Sequence, residues 1–200
     1  LPNMRLLVWC HVNGLHTPRL SSGLLSAAHK VLLTSPATLE AGHLAAALKR
    51  GGLRPETVPS CAGFSHIPPV SRDRSTPLRA GYLGSLNFSK LNPRFVEFLA
   101  AVAVPGFAVD LFGDGLNLET LQRQADAIAR PNLLNFRGWA SSPAEVLAEF
   151  NVMPYLLNPC HYGTTENALL EAMAAGIVPV VLDHPVERTL VEDQVTGLVV

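Results

Sequence analysis

The chain has 200 residues, of which 48% are hydrophobic and 16% are charged, and its formal net charge is −1. This composition supplies enough apolar surface for a packed core and excludes a disordered polar chain. The 15 basic and 16 acidic residues leave no excess positive charge for binding a polyphosphate backbone. The sequence therefore predicts no nucleic-acid partner.

The three cysteines, Cys10, Cys61 and Cys160, are far apart in the sequence. An odd, scattered set is typical neither of a disulfide framework nor of a Cys-x-x-Cys metal site. A reducing compartment fits this pattern, so we expect a cytoplasmic location. No uninterrupted apolar run reaches the length of a membrane-spanning helix.

The first third of the chain predicts two strands and two helices in alternation. Ser35-Pro36 is typical of a helix start, and Gly51-Gly52 is typical of a helix end. The predicted elements are a strand at 5–10, a helix at 24–29, a strand at 30–34 and a helix at 37–50. Residues 63–77 then combine prolines, serines and opposite charges, which indicates a linker.

After residue 77, short apolar runs alternate regularly with amphipathic segments. The predicted strands are 78–83, 107–112, 133–136, 152–157, 178–182 and 198–200, and the predicted helices are 94–103, 118–129, 143–150, 167–175 and 187–193. This alternation predicts an α/β fold with a parallel, Rossmann-type sheet and helices on both faces. Ligands of such sheets bind at the carboxyl ends of the strands, here 84–90, 113–115, 137–139 and 159–171.

The stretch 159–179, with the sequence PCHYGTTENALLEAMAAGIVP, carries the most chemistry. A helix that opens near Thr165 would present free amide groups to a diphosphate, and Gly163 would allow close approach. Glu171 lies one turn after Asn167 on the same helical face, where a carboxylate can accept hydrogen bonds from two ribose hydroxyls. On spacing alone, a capped core helix with an exposed glutamate is the favoured explanation of the pattern.

The segment LLEAMAAGIVPVV resembles the donor-site signature of glycosyltransferase family 4. In that family a glutamate followed by Ala-Met-Ala-x-Gly-x-Pro-Val holds the ribose of the nucleotide, and Glu171 is the matching residue. The family motif has a second glutamate eight positions earlier, where this chain has Gly163; Glu166 is nearby but out of register. The family also has an arginine and a lysine that bind the diphosphate, and these positions are Ser85 and Lys90 here.

Further segments are similar to the same family. Gly84 and the turn Gly113 to Gly115 match strand ends, Phe136-Arg137-Gly138 is similar to the segment that reads the base, and His11 matches a histidine that faces the donor sugar. The resemblance implies one candidate catalytic residue, His11, and a set of donor-binding candidates: Gly84, Ser85, Lys90, Arg137, Gly138, His161, Gly163, Thr164, Thr165, Asn167 and Glu171.

The resemblance implies a GT-B-like fold with parts of two Rossmann-like domains. Residues 1–68 would belong to the N-terminal, acceptor-side domain, 69–77 to a linker and 78–200 to a truncated nucleotide-sugar-binding domain. Because the chain begins and ends on a predicted strand, we expect a fragment of a longer protein that is inactive alone. A glycan, lipid or protein acceptor stays open, as does peripheral membrane contact through the missing N-terminal part.

The implied reaction is retaining transfer of a hexosyl or related sugar from a nucleotide-diphosphate-sugar, without a metal or another cofactor. No Asp-x-Asp motif is present, and His16, His29, His43, His66 and His184 are too scattered to predict a metal site. Two alternatives stay open: a degenerate module that binds a nucleotide-sugar without catalysis, and a GT-B-fold nucleotide-sugar epimerase. A Rossmann dehydrogenase is disfavoured because no strand is followed by Gly-x-Gly-x-x-Gly.

Overall fold

The structure is a computed structural model that describes residues 4–61, 63–71 and 77–200. Most of the predicted linker at 69–77 lies outside the described residues. The chain forms two compact units, which we call the first unit (described residues up to 61, with 160–166 and 184–190) and the second unit (described residues 63–159, with 167–183 and 191–200). Within the described residues, no helix is both long enough and apolar enough to cross a bilayer.

The first unit contains a three-stranded parallel sheet in the order β1-β2-β3. Its elements are β1 (Leu7–Cys10), α1 (Ser22–Ala27), β2 (Lys30–Leu33), α2 (Gly42–Arg50) and β3 (Glu56–Thr57). Inward-facing residues of β1 and β2, among them Val8, Val31 and Leu33, pack against Leu44 of α2 in one apolar cluster. The short strand β3 was not predicted, because it has no apolar signature in the sequence.

The predicted helix at 37–50 is wrong as a single element. The chain forms a 3-10 helix over Pro36–Glu40 and then α2 over Gly42–Arg50. The break occurs at Ala41, whose backbone angles of φ −69° and ψ 96° lie outside the helical region. Ser35 caps the first piece as predicted, since its hydroxyl accepts a hydrogen bond from the amide of Ala37.

The second unit contains a six-stranded, all-parallel sheet with the order β6-β5-β4-β7-β8-β9. Its strands are β4 (Ala80–Leu83), β5 (Val109–Phe112), β6 (Leu134–Gly138), β7 (Val152–Tyr155), β8 (Val178–Val181) and β9 (Leu198–Val199). Its helices are α3 (Phe95–Ala100), α4 (Leu118–Ala127), α5 (Pro143–Leu147) and α6 (Asn167–Ala174). The predicted α/β class with a parallel, Rossmann-like sheet is confirmed.

The strand order reverses direction at the centre of this sheet. From β4 the chain adds β5 and β6 on one side, and from β7 it adds β8 and β9 on the other. The loops that leave β4 and β7 therefore run to opposite sides, an arrangement that in parallel α/β sheets forms a ligand crevice at the carboxyl ends of the strands. The packing below the crevice is aromatic: Tyr82 of β4 stacks on Tyr155 of β7 at 5.7 Å and meets Phe95 of α3 edge-on at 5.8 Å between ring centroids.

Gly81 in β4 is a glycine in the middle of a central strand because Phe150 leaves no room for a side chain. A Cβ atom at Gly81 would overlap the buried Phe150 ring, which also stacks on Phe112 of β5. The missing side chain therefore lets the segment after α5 close over the sheet.

We expect Gly81→Ala to lower the free energy of unfolding by about 2 kcal/mol, because the core must shift to accept the methyl group. Urea denaturation measures this loss. Gly42→Ala is the control, since nothing lies within 4 Å of its Cβ position, and it should be neutral. Phe150→Leu replaces the opposing ring with a smaller side chain. In the double variant Gly81→Ala/Phe150→Leu, the loss in free energy of unfolding should therefore be smaller than the sum of the losses in the two single variants. A loss equal to that sum would contradict the overlap.

Candidate functional site

The turns that follow β4, β5 and β6 lie side by side in the second unit. The amide of Gly84 donates to the carbonyl of Phe112 at 3.0 Å, and the amide of Gly113 donates to the carbonyl of Gly138 at 2.8 Å. A Cβ atom on Gly113 would overlap the carbonyl of Gly84, and the φ of Gly113 is +142°, a region that side chains disfavour. Glycine at 113 therefore lets the two turns approach closely, and the structure brings together Gly84, the 113–115 turn and Gly138 as the sequence predicted.

The loop after β4 is fastened to the segment after β7, across the point where the strand order reverses. The amide of Asn158 donates to the carbonyl of Lys90 at 2.7 Å, and its side-chain amide donates to the carbonyl of Phe88 at 2.6 Å. Leu91 and Leu157 form an antiparallel bridge beside these bonds. Lys90, which is partly exposed, is therefore held in a defined place at the carboxyl end of β4.

Ser85 and Arg137 lie at this same edge of the sheet. Ser85 is exposed, and its carbonyl accepts a hydrogen bond from the Tyr82 hydroxyl at 3.3 Å. The Arg137 guanidinium lies 5.9 Å from the centre of the Phe112 ring and 3.6 Å from the Glu149 carboxylate. Arg137 thus has a partner of opposite charge within its own unit.

Glu171 lies on α6, with 21% of its side chain exposed. Its carboxylate is 3.8 Å from Nε2 of His66, a residue that the sequence analysis did not connect with it. The chain around His66 is held along the end of α6, since the amide of Val70 donates to the carbonyl of Ala175 at 3.1 Å. Glu171 is therefore accessible but already has a cationic neighbour when His66 is protonated.

In the first unit, the loop over Cys160–Glu166 is anchored through its carbonyl groups. Asn13, which is fully buried, donates from its side chain to the carbonyls of His161 at 2.7 Å and Gly163 at 3.1 Å, and its own amide donates to the carbonyl of Tyr162 at 3.0 Å. The backbone amides of Tyr162, Thr164 and Thr165 make no hydrogen bond within the described part of the chain. Backbone amides without a partner in such a loop suit an anion.

Threonine side chains in this loop serve the fold. The Thr164 hydroxyl is buried and hydrogen-bonds to the Thr34 hydroxyl at 2.6 Å, and the Thr165 hydroxyl reaches the carbonyl of Thr34 at 3.5 Å. The predicted helix start near Thr165 is two residues too early, since α6 begins at Asn167, which is exposed. Any ligand contact by Thr164 would therefore be made by its backbone amide.

His161 is 1% exposed, which conflicts with the predicted contact to a donor phosphate. Its Nδ1 atom accepts a hydrogen bond from the amide of Gly163 at 3.1 Å, so the ring proton is on Nε2. That Nε2 atom faces Glu187 and lies 3.3 Å from Nδ1 of His184. We call His161, His184 and Glu187 the His-Glu cluster.

The sequence pattern did not predict this cluster, because its members are separated by up to 26 residues. Nδ1 of His184 lies 2.6 Å from the Glu187 carboxylate, within hydrogen-bonding distance. Burial raises the pKa of the Glu187 carboxyl, but hydrogen bonds to His161 and His184 and their electrostatic attraction outweigh burial and lower the pKa to about 2. One signal in the sequence pointed to the cluster: His161 and His184 each follow one of two consecutive predicted strands.

His11, the candidate catalytic residue, is exposed directly after β1. Its ring lies 4.4 Å from the ring of Trp9, and the indole Nε1 of Trp9 donates to the carbonyl of Val58 at 3.2 Å. His11 is thus accessible within the first unit, on a strand end that Trp9 ties to the segment after β3.

Glu187→Gln should lower the free energy of unfolding at pH 7 by about 3 kcal/mol, since the folded-state pKa of the carboxyl lies well below its unfolded value. A depressed carboxyl pKa contributes stability that is complete above the unfolded pKa of 4.5 and is lost as the pH falls through about 2. Urea denaturation of both proteins should show the difference narrowing between pH 5 and pH 3. Glu119 is exposed and supplies the control, because Glu119→Gln should leave the free energy of unfolding unchanged at pH 5 and at pH 3. If the difference in free energy of unfolding between the wild type and Glu187→Gln stayed constant over this range, the depressed pKa would be contradicted.

Comparison with known proteins identifies the family. The model of the family described as "Glycosyl transferases group 1" matches residues 78–200, which is more than half of the chain. No curated protein sequence matches the chain significantly.

Solved structures with a similar fold are GT-B glycosyltransferases. HepE of Anabaena, determined in complex with UDP and glucose, has a TM-score of 0.73 at 16% identity and covers 98% of this chain and 57% of its own. A variant of S. aureus TarM, in complex with UDP among other ligands, has a TM-score of 0.74 at 14% identity, with 99% and 41% covered. Sucrose-phosphate synthase of Thermosynechococcus elongatus has a TM-score of 0.73 at 19% identity, with 99% and 55% covered.

The chain spans about half the length of these proteins, and at such identities the likeness concerns the fold. The parallel sheet with its reversal between β4 and β7 agrees with that fold, and the family match covers every strand of the sheet. The chain belongs to the group 1 glycosyl transferases.

Proposed function

We propose that this chain contributes the donor-binding part of a retaining glycosyltransferase that takes a hexose or a related sugar from a nucleotide-diphosphate-sugar. The observation that carries the proposal is the reversal of strand order between β4 and β7, where the Lys90 loop is fastened to Asn158. Parallel α/β sheets bind nucleotides at such a point. The family match and the UDP complexes of HepE and TarM support the same ligand class.

In this proposal Glu171 accepts hydrogen bonds from the two ribose hydroxyls of the nucleotide. Its side chain is partly exposed on α6, and a carboxylate suits a vicinal diol because its two oxygens accept both hydrogen bonds. Lys90 stabilises the negative charge that develops on the departing diphosphate. The amides of Tyr162, Thr164 and Thr165, which make no hydrogen bond within the described residues, are a second feature suited to phosphate, and the proposal needs no metal for that charge.

The role proposed for His11, facing the donor sugar, and the retention of configuration rest on the family resemblance. The acceptor hydroxyl would attack from the face that the nucleotide leaves. None of these candidates is a carboxylate nucleophile of the type used by paired-carboxylate glycosidases.

A second function is favoured by two departures from the family pattern. Ser85 stands where the family has a phosphate-binding arginine, and a hydroxyl does not replace a bidentate cationic donor. Gly163 stands where the family has a glutamate. Both changes remove donor contacts, which favours a module that binds a nucleotide-sugar without turning it over.

Binding of the donor tests the proposal directly. UDP-glucose, GDP-mannose, ADP-glucose and dTDP-glucose would be titrated into the chain by calorimetry, with and without Mg²⁺. We expect one of them, with a UDP-sugar as the first probe, to bind equally well in both conditions. Glu171→Gln should weaken that binding about 100-fold, or ~2.7 kcal/mol, because charged hydrogen bonds are lost. Lys90→Ala should weaken it about 10-fold.

Glu119→Gln, an equivalent change at an exposed glutamate of α4, is the control and should bind normally. A folded chain that binds none of the four donors would refute the donor-binding role. Release of free nucleotide by the whole protein then separates the two functions, since a transferase hydrolyses its donor slowly and a binding module leaves it intact.

A further inference from the structure

The His-Glu cluster of the first unit has the donor set and the spacing of a metal site. Nε2 of His161 lies 3.3 Å from Nδ1 of His184 and 3.0 Å from Oε1 of Glu187. Zinc bonds of about 2.0–2.1 Å at tetrahedral angles place neighbouring ligand atoms about 3.3 Å apart. The ligand atoms of the three residues all lie within 4.8 Å of one another, so small movements of the side chains would let one ion contact all of them.

Hydrogen bonding alone leaves part of this cluster unsatisfied. Oε1 of Glu187 is buried and makes no hydrogen bond, although Nε2 of His161 is only 3.0 Å away. A buried carboxylate oxygen without a donor is costly, and a cation between the two atoms would satisfy both of them. The exposed fractions of the side chains are 1% for His161, 2% for Glu187 and 10% for His184.

We propose that His161, His184 and Glu187 bind a structural divalent cation, with zinc the best match to two imidazole nitrogens and a carboxylate. The site is independent of the proposed transferase function, because its ligands are too deeply buried to meet a substrate. Glu187 can bind through one or both oxygens, and the ion joins the Cys160–Glu166 segment to the His184–Leu190 segment.

Binding changes the proton positions in a defined way. Without metal, Nδ1 of His161 accepts from the Gly163 amide, and the ring proton is on Nε2. With zinc on Nε2 the ring stays neutral, its proton moves to Nδ1, and the Gly163 amide loses its acceptor. A second carboxylate, Glu166, lies 3.9 Å from Nδ1 and can accept that proton's hydrogen bond, as the outer partners of metal-bound histidines do.

Metal analysis tests the site. The chain is treated with a chelator, desalted, titrated with Zn²⁺ and desalted again, and retained zinc is measured by atomic emission. We expect about one zinc per chain in the wild type, a higher Tm with zinc than without it, and visible d–d bands when Co²⁺ replaces zinc. His184→Ala and Glu187→Gln should bind at least ~100-fold more weakly, and Glu166→Gln roughly 10-fold more weakly.

His43→Ala removes an exposed histidine on α2 and should retain zinc as the wild type does. Because a cluster variant could fail to fold, NMR of the ring nitrogens in the wild type provides a second measurement. Zinc should shift the signals of two of the seven histidines and the amide of Gly163. Failure of the wild type to retain zinc, or equal retention by the wild type and Glu187→Gln, would show that the cluster is a hydrogen-bonded network only.

Discussion

The parallel direction of all six strands in the second unit is the constraint on which its chemistry depends. Parallel strands bring all their carboxyl ends to one edge, so the turns after β4, β5 and β6 must lie next to one another. Backbone hydrogen bonds join these turns: Gly84 bonds to Phe112, and Gly113 bonds to Gly138. The candidate residues at this edge are therefore placed by the backbone of the sheet, and loop sequence decides only which side chains they carry.

The reversal at β4 and β7 makes one position on this edge different from the rest. Elsewhere in the sheet, the segments that follow neighbouring strands run to the same side. The segments that follow β4 and β7 run to opposite sides. Asn158 bridges the gap with two hydrogen bonds to the carbonyls of Lys90 and Phe88. A loop held on both sides loses little freedom when a ligand binds, which makes Lys90 a better-placed cation than an ordinary surface lysine.

The sequence predicted the strands of the sheet well because each contains a short apolar run, even β6, in which only Leu134 is buried. Prediction from the sequence was wrong where the local sequence carries no signal for the structure that forms. Residues 37–50 read as one helix, and the break at Ala41 has no glycine or proline at that residue to announce it. The helix predicted at 187–193 is only a 3-10 turn over Glu187–Thr189, because Glu187 is turned inward to the two histidines. Long-range pairing of that kind leaves no periodic trace in a sequence.

Gly163 stands where the family motif has a glutamate, and this difference in sequence is accompanied by a particular packing of the loop. A Cβ atom at Gly163 would overlap the carboxylate of Glu166, which is itself buried three residues later in the same loop. Glycine at 163 and glutamate at 166 are thus one feature: the carboxylate occupies the space where a side chain at 163 would begin. Restoring glutamate at 163 alone would force the Glu166 carboxylate to move and would place a second carboxylate beside it. The departure from the family pattern is therefore a different packing of this loop, in which residue 166 and its neighbour His161 set the loop's conformation.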